Sequence, residues 1–161
     1  MRTIQNCKPQ NAVCHTPGPF SLVRPKDILD ILSMFVQPYV AACDGKSWFH
    51  QLGLDACPPE LPRAFSLFCN GKTYESRTWP MGAAHVPIMG NVANMIGMLA
   101  TRSEKYTFHS PDARPGVPPA YVIVRDKRSH KPVAALISFL DNTVSVSISH
   151  AARLVYPLNL N

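Results

Sequence analysis

Residues 132–149 read PVAALISFLDNTVSVSIS: two strand-like runs joined by one acid, Asp141, and one amide, Asn142. Apolar and β-branched residues in short runs favour extended chain, and Asp and Asn favour the turn between them. The stretch therefore predicts a hairpin with a lone carboxylate at its tip. Such an acid is either an ordinary turn residue or one half of a site whose other half lies elsewhere in the chain.

A second acid sits in a similar place. Tyr39 to Cys43 is an apolar run that ends directly in Asp44-Gly45. If both segments join one sheet, Asp44 and Asp141 meet at its end. Other elements follow from local chemistry. In RPKDILDILSMFVQ (24–37), Pro25 suits a first helical turn and Asp27 the positive end of the helix dipole. Ile28, Leu29, Ile31, Leu32 and Phe35 supply the apolar stripe, and Pro38 stops the helix. RAFSLFCNGKTYESRTWP (63–80) predicts a hairpin turning at Asn70-Gly71, with Tyr74 and Trp79 on the return strand. AAHVPIMGNVANMIGMLATRS (83–103) predicts a helix with Pro87 near its start and Val86, Met89, Ala93, Ile96 and Leu99 facing the core. Residues 1–24 read as irregular and 101–120 as a Pro-rich loop. AYVIV (120–124) reads as a strand leading into the basic turn Arg125–Lys131. The expected fold class is α+β, an α/β sandwich: an antiparallel sheet backed by one or two helices over 25–150, followed by a short tail, 151–161.

Composition adds bounds. The 161 residues suit one domain, and 46% hydrophobic residues are enough for a core. A net charge of +6 favours polyanions, although a solvated basic surface gives the same sum. Five scattered cysteines without a CxxC or zinc spacing speak against a structural metal site, and the adjacent Cys14-His15 is poor geometry for one ion. An odd cysteine count with no signal peptide suits an intracellular location, nucleus or cytoplasm. No apolar run reaches membrane-spanning length.

The order of the segments is more specific than any one of them. CDGKSWFHQL (43–52), RAFSLFCNGKTYESRTWPMGAAHVP (63–87) and SFLDN (138–142) resemble, in sequence order, the palm of retroelement reverse transcriptases. The pattern is an acid followed by an aromatic, a basic-residue-to-Phe hairpin, a Pro-x-Gly segment opening a helix, and an aromatic-x-Asp hairpin. Here it is carried by Asp44 with Phe49, Arg63 to Phe65, Pro80-Met81-Gly82 with Pro87, and Phe139 to Asn142. WPMGAAHVP is nearest in flavour to LTR-type and tyrosine-recombinase (DIRS-like) retrotransposons. The resemblance covers roughly 25–150.

The resemblance implies an RNA-directed DNA polymerase. Asp44 and Asp141 would be the catalytic carboxylates, holding two Mg²⁺ (or Mn²⁺) ions together with the Gly45 carbonyl. Two such ions clamp the attacking and leaving oxygens of an in-line phosphoryl transfer. Phe49 would be the ring that excludes a ribose 2′-hydroxyl, and Met81 and Gly82 would line the nucleotide. Phe139 stands where the hairpin usually carries Tyr, keeping the ring and losing the hydroxyl. The partners implied are an RNA or DNA template-primer and deoxynucleotides. Lys46, Arg63, Lys72 and Arg77 are either phosphate contacts or a charged hairpin face. Phe49 has the competing reading of a core aromatic. Trp48 and Trp79 read as packing residues, and His50 and His85 as structural.

Three departures shape the expectation. Asn142 replaces the second acid of the hairpin, removing a charge beside the ions. The segment between Gly82 and Asp141 is long. No thumb or RNase H segment follows within these residues. The expectation is an incomplete polymerase fold, a reverse-transcriptase fragment with weak activity or none. The alternative is a non-enzymatic retroelement remnant that binds nucleic acid or a protein partner.

Overall fold

The hairpin of residues 132–147 is the middle of a five-stranded sheet in the computed structural model, which describes residues 5–100 and 103–148. The strands are β1 (Tyr39–Asp44), β4 (Tyr106–His109), β5 (Tyr121–Asp126), β6 (Pro132–Phe139) and β7 (Asn142–Ser147). Their order is β1-β7-β6-β5-β4, and every neighbouring pair is antiparallel. A separate two-stranded hairpin pairs β2 (Leu67–Cys69) with β3 (Lys72–Tyr74). The helices are α1 (Lys8–Val13), α2 (Pro25–Ser33), α3 (Glu60–Ala64) and α4 (Val86–Ala100), with one 3₁₀ turn at Trp48–Gln51. The fold class is thus α+β, as the residue patterns predict.

The chain divides into two units. One comprises residues 1–18 and 45–90, the other 19–44 and 91–161. In the second unit, alternate residues of each strand face opposite sides of the sheet. Ile123, Ala135, Ile137 and Val146 pack with Ile31 and Phe35 of the α2 segment. Val122, Val124, Ala134 and Leu136 pack with Met95 and Met98 of α4. Each sheet face is therefore covered by one helix, and this explains why β5 and the centre of β6 are apolar on both faces.

α2 starts where Pro25 and Asp27 predict. Asp27 accepts the backbone N–H of Arg24 at 2.9 Å, and its two oxygens receive the Arg24 guanidinium at 2.8 and 2.9 Å. The Arg24 side chain and backbone beside it hold the Asp27 carboxyl down at about 2. A carboxyl depressed in the folded state contributes stability above its unfolded value, near 3.9, and loses that contribution as pH falls toward 2. Asp27→Asn should therefore lower the melting temperature by a few degrees at pH 7. The gap to the unsubstituted chain should close below pH 4 and vanish near pH 2 in a pH series of thermal melts.

In the first unit, Phe65, Trp79, Leu54, Ala83, Val86 and Cys7 form the core. The Phe65 and Trp79 rings lie 5.6 Å apart at a tilted angle. Asn70 and Gly71 turn the β2–β3 hairpin with φ of +51° and +71°, as a tight hairpin requires.

Five expectations need correction. Residues 1–24 are not wholly irregular, because Pro9 in its first turn helps start α1. Residues 101–120 contain β4, which pairs with β5 outside the reach of any local signal. Arg63 lies in α3 and Phe65 caps it, so neither is in the hairpin. Trp79 lies outside β3; its backbone N–H bonds to the Leu52 carbonyl, and its ring is buried in the core. The α4 stripe holds only at its start: Val86 is buried and Met89 packs beside it, but further along Asn91, Met95 and Met98 are buried, whereas Ile96 and Leu99 are exposed. The tail 151–161 lies outside the described residues.

Candidate metal centre

The register of the sheet brings the two acidic segments together. Asp44, the last residue of β1, pairs with Asn142, the first of β7, and Asn142 pairs with Phe139, the last of β6. Opposed residues of antiparallel strands have Cα atoms about 4.5–5.5 Å apart and share a face. Asp44, Asn142 and Phe139 therefore line one face at one end of the sheet. Asp141 adjoins Asn142 in the two-residue turn Leu140-Asp141. The Asn142 amide donates to Asp141 Oδ1 at 2.9 Å. The Asp44 carboxylate is exposed and Asp141 is half-buried.

This turn is strained. Leu140 has φ of +56°, a left-handed conformation that side chains other than glycine disfavour, at a cost of about 1–3 kcal/mol. It is held from the other face of the sheet. Asn94 of α4 donates its amide to the Leu140 carbonyl at 2.8 Å. Three residues earlier on the same helix, Asn91 accepts the Ser138 hydroxyl at 2.7 Å, and both residues are fully buried. Asn91 also reaches the Ser21 carbonyl at 3.4 Å. Sequence patterning missed these residues. The available signal was an amide within an apolar helix and a serine within the apolar run AALISFL.

The donor set fits a hard divalent cation. Mg²⁺ is held by one or two carboxylates and completes its shell with waters and substrate phosphates. Among the described residues no group of three or more His, Cys, Asp or Glu side chains gathers as a metal cage. Asp44 at the end of β1 and Asp141 in the turn are the carboxylates in question, with the Asn142 side-chain oxygen nearby as a neutral acceptor.

The other sequence candidates belong to the first unit. The Gly45 carbonyl accepts the Trp48 N–H at 3.0 Å and retains a second lone pair. Phe49 is half-buried against the core, and a Cβ on Gly90 would come within 3.2 Å of its ring, so its position is set by packing. Met81 is exposed. Gly82 has φ of +102°, so any side chain there would be strained. Asn11 clamps this segment, donating to the Gly82 carbonyl and accepting the Ala84 N–H, both at 2.9 Å. Lys46, Lys72 and Arg77 are exposed, and Arg63 approaches Glu75 at 3.5 Å. His85 lies 6.3 Å from the Trp79 ring, in keeping with a structural role.

The basic turn Arg125–Lys131 is not part of the carboxylate site. It precedes β6, whereas Leu140-Asp141 follows it. Eight strand residues separate the two ends by roughly 25 Å, at about 3.3 Å per residue. Asp126 organises this turn by accepting the N–H groups of Arg128 and Ser129 at 3.0 and 2.8 Å. Those bonds, led by Ser129, hold its carboxyl below the usual range. Lys127, Arg128, His130 and Lys131 are left exposed.

No helix among the described residues is long and apolar enough to cross a membrane. All five cysteines are free thiols. No protein-family profile matches the chain, and no curated protein or solved structure does.

Proposed function

We propose that the chain is the palm-like part of a retroelement reverse transcriptase, LTR-type or DIRS-like, acting in RNA-directed DNA synthesis. The observation that supports this most is the Asp44–Asn142 register, which sets Asp44 beside the Asp141 turn at one sheet end. It matters because the two acids are 97 positions apart in the chain.

In this reading Asp44 and Asp141 supply the negative charge that holds two divalent ions with the triphosphate of a deoxynucleotide. The bound ions would activate the primer 3′-hydroxyl for attack on the α-phosphate and neutralise the departing pyrophosphate. The ring of Phe49, fixed by its packing, is suited to excluding a 2′-hydroxyl by steric clash. Met81 and Gly82 offer a site where backbone approaches the nucleotide. Phe139 keeps an aromatic face beside the carboxylates. Lys46, Arg63, Lys72 and Arg77 are the candidate phosphate contacts, since such contacts orient a template-primer without reading its sequence. Asn142 leaves the site one charge short, so weak catalysis is the expected output.

A second reading is supported by the exposed basic turn at the far end of β6: a remnant that binds nucleic acid without catalysis. Mn²⁺ titration followed by electron paramagnetic resonance separates the two. The polymerase reading expects saturable Mn²⁺ binding, tightened by a deoxynucleoside triphosphate, and slow primer extension on an RNA template. Absence of divalent binding, with nucleic acid still bound and released steeply by salt, would leave the remnant reading in its place.

A further inference from the structure

We infer that Asn94 is a positioning residue for Asp141, acting through the backbone of the strained hairpin turn. The inference rests on the metal reading of Asp44 and Asp141. Three observations carry it. Leu140 occupies a left-handed conformation at φ +56°, which the turn itself disfavours. Asn94 Nδ2 donates to the Leu140 carbonyl at 2.8 Å, across 46 residues of chain. The helix that carries Asn94 is itself locked to the same strand by the buried Asn91–Ser138 bond at 2.7 Å.

The geometry explains why a single amide matters. The Leu140 carbonyl belongs to the peptide unit that joins Leu140 to Asp141. Its orientation fixes the direction in which the Asp141 Cα–Cβ bond leaves the turn. Without a partner on that carbonyl, the peptide can rotate toward a less strained turn and swing the carboxylate away from Asp44. The Asn142 amide, bonded to Asp141 Oδ1 at 2.9 Å, orients the same carboxylate from the strand side. Asp141 is thus set from two directions, by Asn94 through the backbone and by Asn142 through the side chain. Outer groups that orient a metal ligand are commonly worth tenfold to a hundredfold in metal affinity.

The test uses the full 161-residue chain and two readouts. The first is hydrogen exchange of the Asn142 backbone amide, which pairs with Phe139 across the turn, in metal-free buffer. The second is Mn²⁺ affinity by electron paramagnetic resonance. Asn94→Leu should speed exchange at the turn about five- to tenfold, as expected for one lost hydrogen bond. It should weaken Mn²⁺ binding about tenfold while leaving exchange of the central β6 amides unchanged. Asn94→Gln, which keeps the donor, should recover most of both effects. Unchanged exchange at the turn in Asn94→Leu would overturn the clamp whatever the metal does. Faster exchange with unchanged Mn²⁺ affinity would overturn the positioning role, if Asp141→Ala still abolished binding, and would leave the metal reading standing. Mn²⁺ binding that ignores Asp141→Ala would remove the metal reading and this inference with it.

Discussion

Asp44→Asn and Asp141→Asn should each weaken Mn²⁺ binding on the order of a hundredfold or more, a larger loss than removing an orienting group gives. Each substitution keeps side-chain size and removes one acidic charge beside the Leu140-Asp141 turn. The residue opposite Asp44 is the neutral Asn142. The losses should be comparable if, as proposed, two ions share the two carboxylates. A large loss from one and none from the other would mean that a cation sits on a single surface acid.

Asn142→Asp is the complementary change and should act in the opposite direction. It places a third carboxylate opposite Asp44 on the neighbouring strand. Like charges directly opposed on antiparallel strands cost roughly 0.2–1 kcal/mol. The metal-free variant should therefore melt slightly below the unsubstituted chain. Added Mn²⁺ should reverse the order, because an ion that binds only the folded state stabilises it in proportion to its affinity. Crossed melting curves, lower without metal and higher with it, are the expected signature. A variant that melts lower in both conditions would show that the third acid meets no cation.

How much was legible in the sequence depended on how local each cause is. The β2–β3 turn was readable because Asn70 and Gly71 carry their own conformational preference. The start of α2 was readable because Arg24, Pro25 and Asp27 act within one helical turn. The hairpin at Asp141 was readable in kind and slightly wrong in detail: Leu140-Asp141 forms the turn, and Asn142 already belongs to β7. Causes that lie far away in sequence were hidden. β4 depends on pairing with β5 and sits among prolines that argue for loop. β1 is apolar yet largely exposed, because it is an edge strand with one neighbour. α4 is apolar around most of its circumference, so spacing could not choose a face. The choice is made by Ser138, which turns Asn91 inward and carries Met95 and Met98 with it. For the site, motif order pointed to Asp44 and Asp141, while the asparagines that hold the turn carry no motif.

Asn91→Leu should destabilise the second unit by about 2–3 kcal/mol, although Leu is apolar and branches at the same atom. The cost arises at Ser138, whose fully buried hydroxyl loses its acceptor, and an unsatisfied buried polar group costs about 1–3 kcal/mol. Misfit of the branched side chain against the sheet adds to it. Ser138→Ala alone leaves the Asn91 amide oxygen unpaired in the same buried place and should cost a similar amount. The double substitution, Asn91→Leu with Ser138→Ala, removes both partners of that bond and should recover most of the loss apart from the long Asn91–Ser21 contact, because replacing a polar pair by apolar groups is close to neutral. A coupling energy above about 1 kcal/mol in the cycle is the expected result. Both tryptophans, Trp48 and Trp79, belong to the first unit, so their fluorescence does not report this change. Urea titration followed by exchange of β6 amides does. If the double variant regained its stability yet bound Mn²⁺ several-fold more weakly, the buried pair would be serving the turn as well as the fold. A polar helix stripe in an otherwise apolar interface would then be there to aim a carboxylate.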